Sequence, residues 1–232
     1  MHTLRFRHAV IAAALLLAVV AAWWAYKAHQ QRQLAATVTA LAREAGTRLR
    51  EALVLDAQPQ SEDGARKLEG HLAVVDGHLQ KLRGLNTNTS SMLALGEAAD
   101  DYVLTAREIL RRLVVGQRAR LEFAQSSRAL LEHMRADHGG ASWVGEAVRL
   151  KERVEKDFSD HKAATETLAK LLESFPAAQA RIAPHIETPP LIDGKLLDAA
   201  RQRALASARQ AANEIEKIRK WVPRGPGRHT QD

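Results

Sequence analysis

The chain begins with one long apolar run, and no comparable run follows it. Residues 9–26 contain only Ala, Val, Ile, Leu, Trp and Tyr. As a helix, the eighteen residues of this run extend about 27 Å, close to the roughly 30 Å hydrocarbon core of a bilayer. The pattern therefore predicts a single membrane-spanning helix.

The flanks of the run predict its orientation. Basic residues precede it and aromatic rings close it, namely Arg5, Arg7, Trp23, Trp24 and Tyr26. Basic residues are retained on the cytoplasmic side, and amphipathic rings settle at headgroup level. We expect residues 1–27 to form a cytoplasmic stub and signal anchor in the inner membrane, with the bulk of the chain on the periplasmic side. A cleaved secretory signal is the alternative, since small residues precede Trp23.

The helical pattern continues beyond the apolar run, which favours an uncleaved anchor. Apolar residues recur at steps of three and four at Leu34, Val38, Leu41, Ala45, Leu49 and Ala52. This spacing predicts one unbroken helix from the anchor to about Asp56. Such a helix would join the membrane segment rigidly to the domain that follows.

Four further long helices and one short helical stretch are predicted from the same periodicity. They cover residues 61–84, 91–137, 142–175, 176–184 and 193–221. Ser61, Ser142 and Asp193 are the expected N-caps, and Pro176 is expected to begin the short stretch.

Short polar connections between these helices favour the packing of sequential neighbours. We therefore expect an all-α fold: an N-terminal transmembrane helix that continues into an antiparallel up-and-down bundle of about five long helices. The exported bundle would span residues 28–222. Residues 223–232 lack apolar periodicity and are predicted to be a disordered basic tail.

The charge of the chain suggests anionic partners but does not indicate nucleic acid. Thirty-four Lys and Arg against 27 Asp and Glu give a net charge of +7. Acids are interleaved with most of these bases, and an exported domain rarely meets nucleic acid. Anionic lipid or cell-wall polymer would be the expected basic-surface partner, through Arg107, Arg111 and Arg118 of the third helix. Solvated helix faces are the simpler explanation.

Catalytic signatures are missing from the sequence. The chain has no cysteine, so it offers neither a thiol nucleophile nor a thiolate metal ligand. It also lacks the nucleophile-elbow, zincin and phosphate-loop motifs. We expect a protein that is not an enzyme and that carries no cofactor.

The most distinctive local pattern is a heptad repeat of acid, glycine and histidine in the second helix. Gly70, Gly77 and Gly84 fall opposite the predicted core, where each costs about 1 kcal/mol of helix stability relative to Ala. This cost suggests a second close contact, with a partner helix or chain. His71 and His78 lie about 10 Å apart along the helix, too far to share a metal ion. A drifted repeat without function is the alternative.

A second candidate site surrounds His161. Asp157 precedes His161 by one turn on the apolar stripe of the fourth helix, and this i, i+4 spacing could bind a cation or raise the pKa of the histidine. Lys151 and Tyr102 complete a candidate ligand pocket between helices. The alternative is a core histidine whose polar atoms are satisfied by its neighbours.

These features favour a non-enzymatic interaction or adaptor subunit of an envelope complex, with a protein partner or a second copy of the chain. The alternative is an extracytoplasmic ligand-sensing bundle that works with a separate transducer. The layout resembles exported helical modules of bacterial sensors, but no second apolar run is present to carry a signal back across the membrane.

Overall fold

The computed structural model describes residues 2–58, 61–87, 89, 92–136, 140–189 and 191–221. Within these ranges, the side chains of residues 2–15, 141 and 221 are not described. Five α-helices follow one another, with one 3-10 turn between the last two. They are α1 (His2–Leu55), α2 (Glu62–Gly84), α3 (Leu93–Arg135), α4 (Ala141–Ile182) and α5 (Gly194–Trp221). The described ranges contain no strand, and the all-α prediction is confirmed.

Helix α1 continues without a break from the apolar run into the bundle, as predicted. Residues 16–30 are all exposed, whereas contacts with the core begin at Leu34 and Val38 is fully buried. Within the described part of the chain, no helix combines the length and apolarity needed to cross a membrane. The side chains of Arg5 and Arg7 lie outside the described residues.

Ion pairs between neighbouring helices establish an antiparallel arrangement. Arg83 at the end of α2 pairs with Asp100 near the start of α3, and Glu69 near the start of α2 pairs with Arg118 farther along α3. Helix α4 is likewise antiparallel to α3, because Arg181 near the end of α4 pairs with Asp101 near the start of α3. Consecutive helices therefore run up and down.

The core is divided into two parts because α1 and α2 cover only one half of α3, α4 and α5. The larger cluster involves all five helices and includes Tyr102 and Phe175, whose ring centroids are 5.3 Å apart. The smaller cluster contains Phe123 of α3, Val154 of α4 and Ile215 of α5. The molecule is thus a five-helix bundle with a three-helix extension.

Two predicted caps are confirmed by hydrogen bonds. Ser61 Oγ accepts from the Gly64 amide at 3.0 Å, and Asp193 Oδ1 accepts from the Lys195 amide at 3.0 Å. The prediction for Ser142 is wrong, because α4 already begins at Ala141 after Gly140. Gly140 has a φ of 81°, a conformation that suits a residue without a side chain.

The predicted break at Pro176 is also wrong, because α4 continues through this residue to Ile182. A proline inside a helix costs about 3 kcal/mol, since it removes one backbone hydrogen bond and crowds the preceding turn. Phe175, Ala178 and Ile182 are buried on one side of the same stretch. Their burial in the large core outweighs the local cost.

Candidate functional site

The acid-glycine-histidine repeat of α2 directs its three residue types to three different sides. The acids face α3, where Glu69 pairs with Arg118 and Asp76 pairs with Arg107. These cross-helix pairs recur at heptad spacing because successive heptad positions return to the same side of a helix. The acids of the repeat therefore hold α2 against α3.

The histidines of the repeat face α1. His71 Nδ1 lies 3.6 Å from Glu51 Oε2. His78 interacts electrostatically with Glu44, which precedes Glu51 by seven residues in α1. Burial lowers the pKa of His78, and the Glu44 charge partly opposes this shift. The histidine of each motif thus contributes to the contact between α2 and α1.

The glycines of the repeat face away from both neighbouring helices. A Cβ atom added to Gly70, Gly77 or Gly84 would have no heavy atom within 4 Å, apart from the adjacent residues and the backbone of its own helix. The close contact that these glycines suggest is therefore not made within the described part of this chain. Their side of α2 remains open to another molecule.

The basic stripe of α3 is largely neutralised by neighbouring acids. Arg107 binds Asp76 and also donates to Glu108 Oε1 at 2.7 Å, and the bond to Asp76 raises the pKa of Arg107. Arg118 pairs with Glu69, whereas Arg111 lies 3.9 Å from Glu108 and is largely exposed. This stripe consequently offers little free positive charge to an anionic polymer.

A cavity of about 340 Å³ lies where the two halves of the core meet. It opens between the end of α1 and the middle portions of α3, α4 and α5. Its lining includes the polar residues Asp56, Gln117, Arg120, His161, Arg203 and Ser207.

A chain of hydrogen bonds crosses three helices at this cavity. Arg120 Nη1 donates to Ser207 Oγ at 2.8 Å, and the Ser207 hydroxyl lies 3.0 Å from His161 Nε2. His161 Nδ1 lies 3.4 Å from the Gly116 carbonyl oxygen, which can only accept. The network therefore assigns the proton of the neutral imidazole to Nδ1 and makes Nε2 the acceptor from Ser207.

Burial keeps His161 neutral. The residue is only 1% exposed, and burial lowers its pKa below the usual value of 6.5. The positive charge of Arg120 lowers this pKa further, although hydrogen bonds to Gly116 and Ser207 partly oppose the shift. His161 is thus a hydrogen-bonding residue rather than a second cation at neutral pH.

The two arginines of the cavity have different surroundings. Arg203 Nη2 donates to the Leu53 carbonyl at 3.0 Å near the end of α1, and its Nε lies 3.6 Å from Asp56 Oδ2. Burial raises the pKa of Asp56, and Arg203 partly counteracts this rise. Among the described residues, Arg120 contacts only uncharged partners, Ser207 and Gln210. Arg203 therefore stabilises the end of α1, whereas Arg120 has no ion-pair partner among the described residues and acts on the Asp56 charge only at longer range.

Of the four residues of the predicted pocket, only His161 lines this cavity. Asp157 is buried nearby and its Oδ2 lies 3.9 Å from Arg153 Nε. Tyr102 packs in the large core, where burial raises its pKa, and Lys151 is half-buried in the three-helix extension. The structure does not bring these four residues together.

Sequence reasoning missed Arg120, Arg203 and Ser207 because they are remote from His161 along the chain. One signal was present: Ser207 interrupts the alanine-rich stripe of α5 between Ala204 and Ala211. A polar residue at a buried stripe position indicates a partner on a facing helix. In the part of the chain that the structure describes, no group of three His, Asp or Glu side chains could hold a metal ion.

Comparison of the chain with protein-family models, with curated proteins and with solved structures found no match.

Proposed function

We propose that the protein is a single-pass, membrane-anchored helical bundle on the periplasmic side of the inner membrane, where it acts as a non-enzymatic interaction subunit of an envelope complex. One observation carries the proposal: α1 extends beyond the bundle with its large apolar side chains exposed. Six of them are 44 to 69% exposed, namely Leu16, Leu17, Val19, Val20, Trp23 and Trp24. A contiguous apolar surface of this kind favours contact with a membrane or partner.

The continuity of α1 supports a tether with a fixed orientation. The helix that carries the exposed apolar segment also supplies Val38, Leu49 and Leu53 to the large core. The two parts share backbone hydrogen bonds without an intervening loop. A bundle attached in this way would be held at a defined angle to the membrane.

The open glycine face of α2 supports the interaction role. Each of these glycines lowers helix stability, and nothing within the described chain lies within 4 Å of a Cβ added there. A partner helix would approach closely there because no side chain intervenes. We favour a protein partner, including a second copy, over anionic lipid or cell-wall polymer, since acids neutralise much of α3.

Vesicle flotation tests the membrane anchor. We expect the full chain to float with phospholipid vesicles, and a chain lacking residues 1–30 to remain in solution as a cooperatively unfolding helical bundle. A Leu17→Arg, Val20→Arg variant should float less, whereas a Gln30→Arg, Gln33→Arg variant should float normally. A full chain that stays in solution without detergent would refute the anchor, and an unfolded truncated chain would refute an autonomous bundle.

Site-specific crosslinking in intact membranes tests the partner. Because the chain has no cysteine, a Gly77→Cys variant carries a single position for a photoreactive label. We expect a protein adduct from this position and none from Glu152→Cys on an exposed part of α4. Equal adducts from both positions would argue against a specific glycine face.

The cavity favours a second candidate function, that of a ligand-sensing bundle working with a separate transducer. It is lined by polar groups from α3, α4, α5 and the turn that follows α1, so a ligand bound there would contact all four segments together. This candidate requires a ligand whose chemistry suits the lining.

A further inference from the structure

We propose that the cavity at the end of α1 binds a small soluble oxoanion, with a carboxylate or phosphate group paired to Arg120. The proposal goes beyond the adaptor function and does not depend on it. It starts from Arg120, which has no ion-pair partner among the described residues and lines a partly open cavity.

The charge of the lining favours an anion. Arg120 and Arg203 contribute two positive charges, and Asp56 is the only acid in the lining that the structure describes. Arg203 lies against Asp56, and Arg120 interacts with this carboxylate only at longer range, so the two arginines outweigh the single acid. A guanidinium in a partly buried site gains more from an anion than an exposed one does, because water screens the pair less.

Neutral donors complete the binding chemistry. Gln117, Gln58 and Gln210 carry amide groups that can donate, whereas the single hydroxyl proton of Ser207 is already donated to His161. Oxoanions need several donors directed at their oxygens, and this lining supplies them from different helices. A metal cation would instead meet two guanidinium groups and is disfavoured.

The volume and position of the cavity indicate a soluble ligand. A volume of about 340 Å³ falls at the lower end of the roughly 300 to 1,000 Å³ typical of small-molecule sites. Asp56 lies 26 residues beyond Gln30, or about 39 Å along α1. Lipid headgroups at the exposed end of α1 would not reach this distance.

Thermal unfolding and calorimetry of the full chain in a zwitterionic detergent provide the test. Sodium phosphate and sodium succinate are compared with sodium chloride at equal ionic strength. At about ten times its dissociation constant, a bound anion should raise the Tm by roughly 3 to 6 °C. The two probes separate a phosphate ligand from a carboxylate ligand, and a response to either supports the proposal.

Three variants locate the site. Arg120→Gln should weaken binding of the active probe by at least about tenfold, the effect of losing one charge-assisted contact. Arg128→Gln, the same change at an exposed position of α3, should leave binding unchanged. Ala206→Trp should block the cavity from its exposed rim while keeping every charge, which provides a second test if Arg120→Gln does not fold.

The proposal is overturned if neither probe changes the Tm beyond the chloride control at millimolar concentrations. It is also overturned if Ala206→Trp and Arg120→Gln both fold and bind the active probe as tightly as the unmodified chain. Neither result bears on vesicle flotation, so this failure is distinguishable from failure of the anchor.

Discussion

At the scale of single residues, the informative positions are polar side chains inside an apolar bundle. Gln117, His161 and Thr165 are each at most 7% exposed, and they line the cavity where the two halves of the core meet. A buried polar group is costly unless it is hydrogen-bonded. His161 satisfies both ring nitrogens through Gly116 and Ser207, and this polar layer separates the two apolar clusters.

We expect His161 to make folding sensitive to pH. Because its pKa is lowered in the folded chain, the unfolded chain binds more protons as the pH falls below about 6.5, and the free energy of unfolding decreases. His161→Leu removes this contribution. At neutral pH the variant should lose about 1 kcal/mol through its missing hydrogen bonds.

Chemical unfolding between pH 5 and 8 measures this difference. The stability lost by His161→Leu at neutral pH should shrink with acidification, by at most about 1.4 kcal/mol per pH unit. His185→Leu, at an exposed histidine, controls for the loss of a histidine as such. A constant difference between the unmodified chain and His161→Leu would contradict the prediction.

At the scale of elements, the heptad repeat of α2 places each residue type against a different part of the bundle. Leu68 and Val75 are fully buried, the acids bind α3, and the histidines face α1. The periodicity places each residue type on its own side. Which helix then lies on that side is decided by the packing of the bundle.

Matched glycine substitutions test the open face of α2. Gly77→Ala should stabilise the chain by about 0.5 to 1 kcal/mol, because the added Cβ meets nothing and the unfolded chain loses freedom. Gly96→Ala in α3 should destabilise it by about 1 to 3 kcal/mol, because its Cβ would lie 2.7 Å from Thr87 Cβ. Urea unfolding distinguishes the two signs, and equal effects would show that the described packing around one glycine is incorrect.

At the scale of the whole molecule, the exposed segment of α1 and the three-helix extension lie at opposite ends. Arg43 of α1 donates to the Thr188 carbonyl in the α4–α5 connection, and Leu53 lies near the cavity. Helix α1 therefore leaves the bundle on the side of that connection. The extension lacks α1 and α2, and its apolar cluster is smaller.

We expect the two halves to differ in local stability. Amide hydrogen exchange in residues 119–135 and 207–220 should report opening at lower free energy than in residues 38–53, because fewer apolar side chains are buried around them. Phe123→Ala should cost about 3 to 5 kcal/mol and increase exchange mainly in the extension. Uniform protection along α3 would contradict this division.

Most of the secondary structure could be predicted from the sequence because periodicity and capping are local. The stripe from Leu34 to Ala52, the cap at Ser61 and the cap at Asp193 all indicated helices that the structure contains. Pro176 was misleading, because tertiary burial of its neighbours outweighed its local preference. The cavity could not be predicted, since its polar residues come from three helices and the turn after α1.

The sequence by itself determined the five helices, their up-and-down order and the residues that each directs inward, because these depend on spacing within one helix. Only the tertiary structure decided that α1 and α2 cover half of the longer helices, and that Arg120, His161 and Ser207 meet at the resulting junction. The physical reason is that axial register between helices depends on side chains packing across the whole bundle, which no single segment encodes.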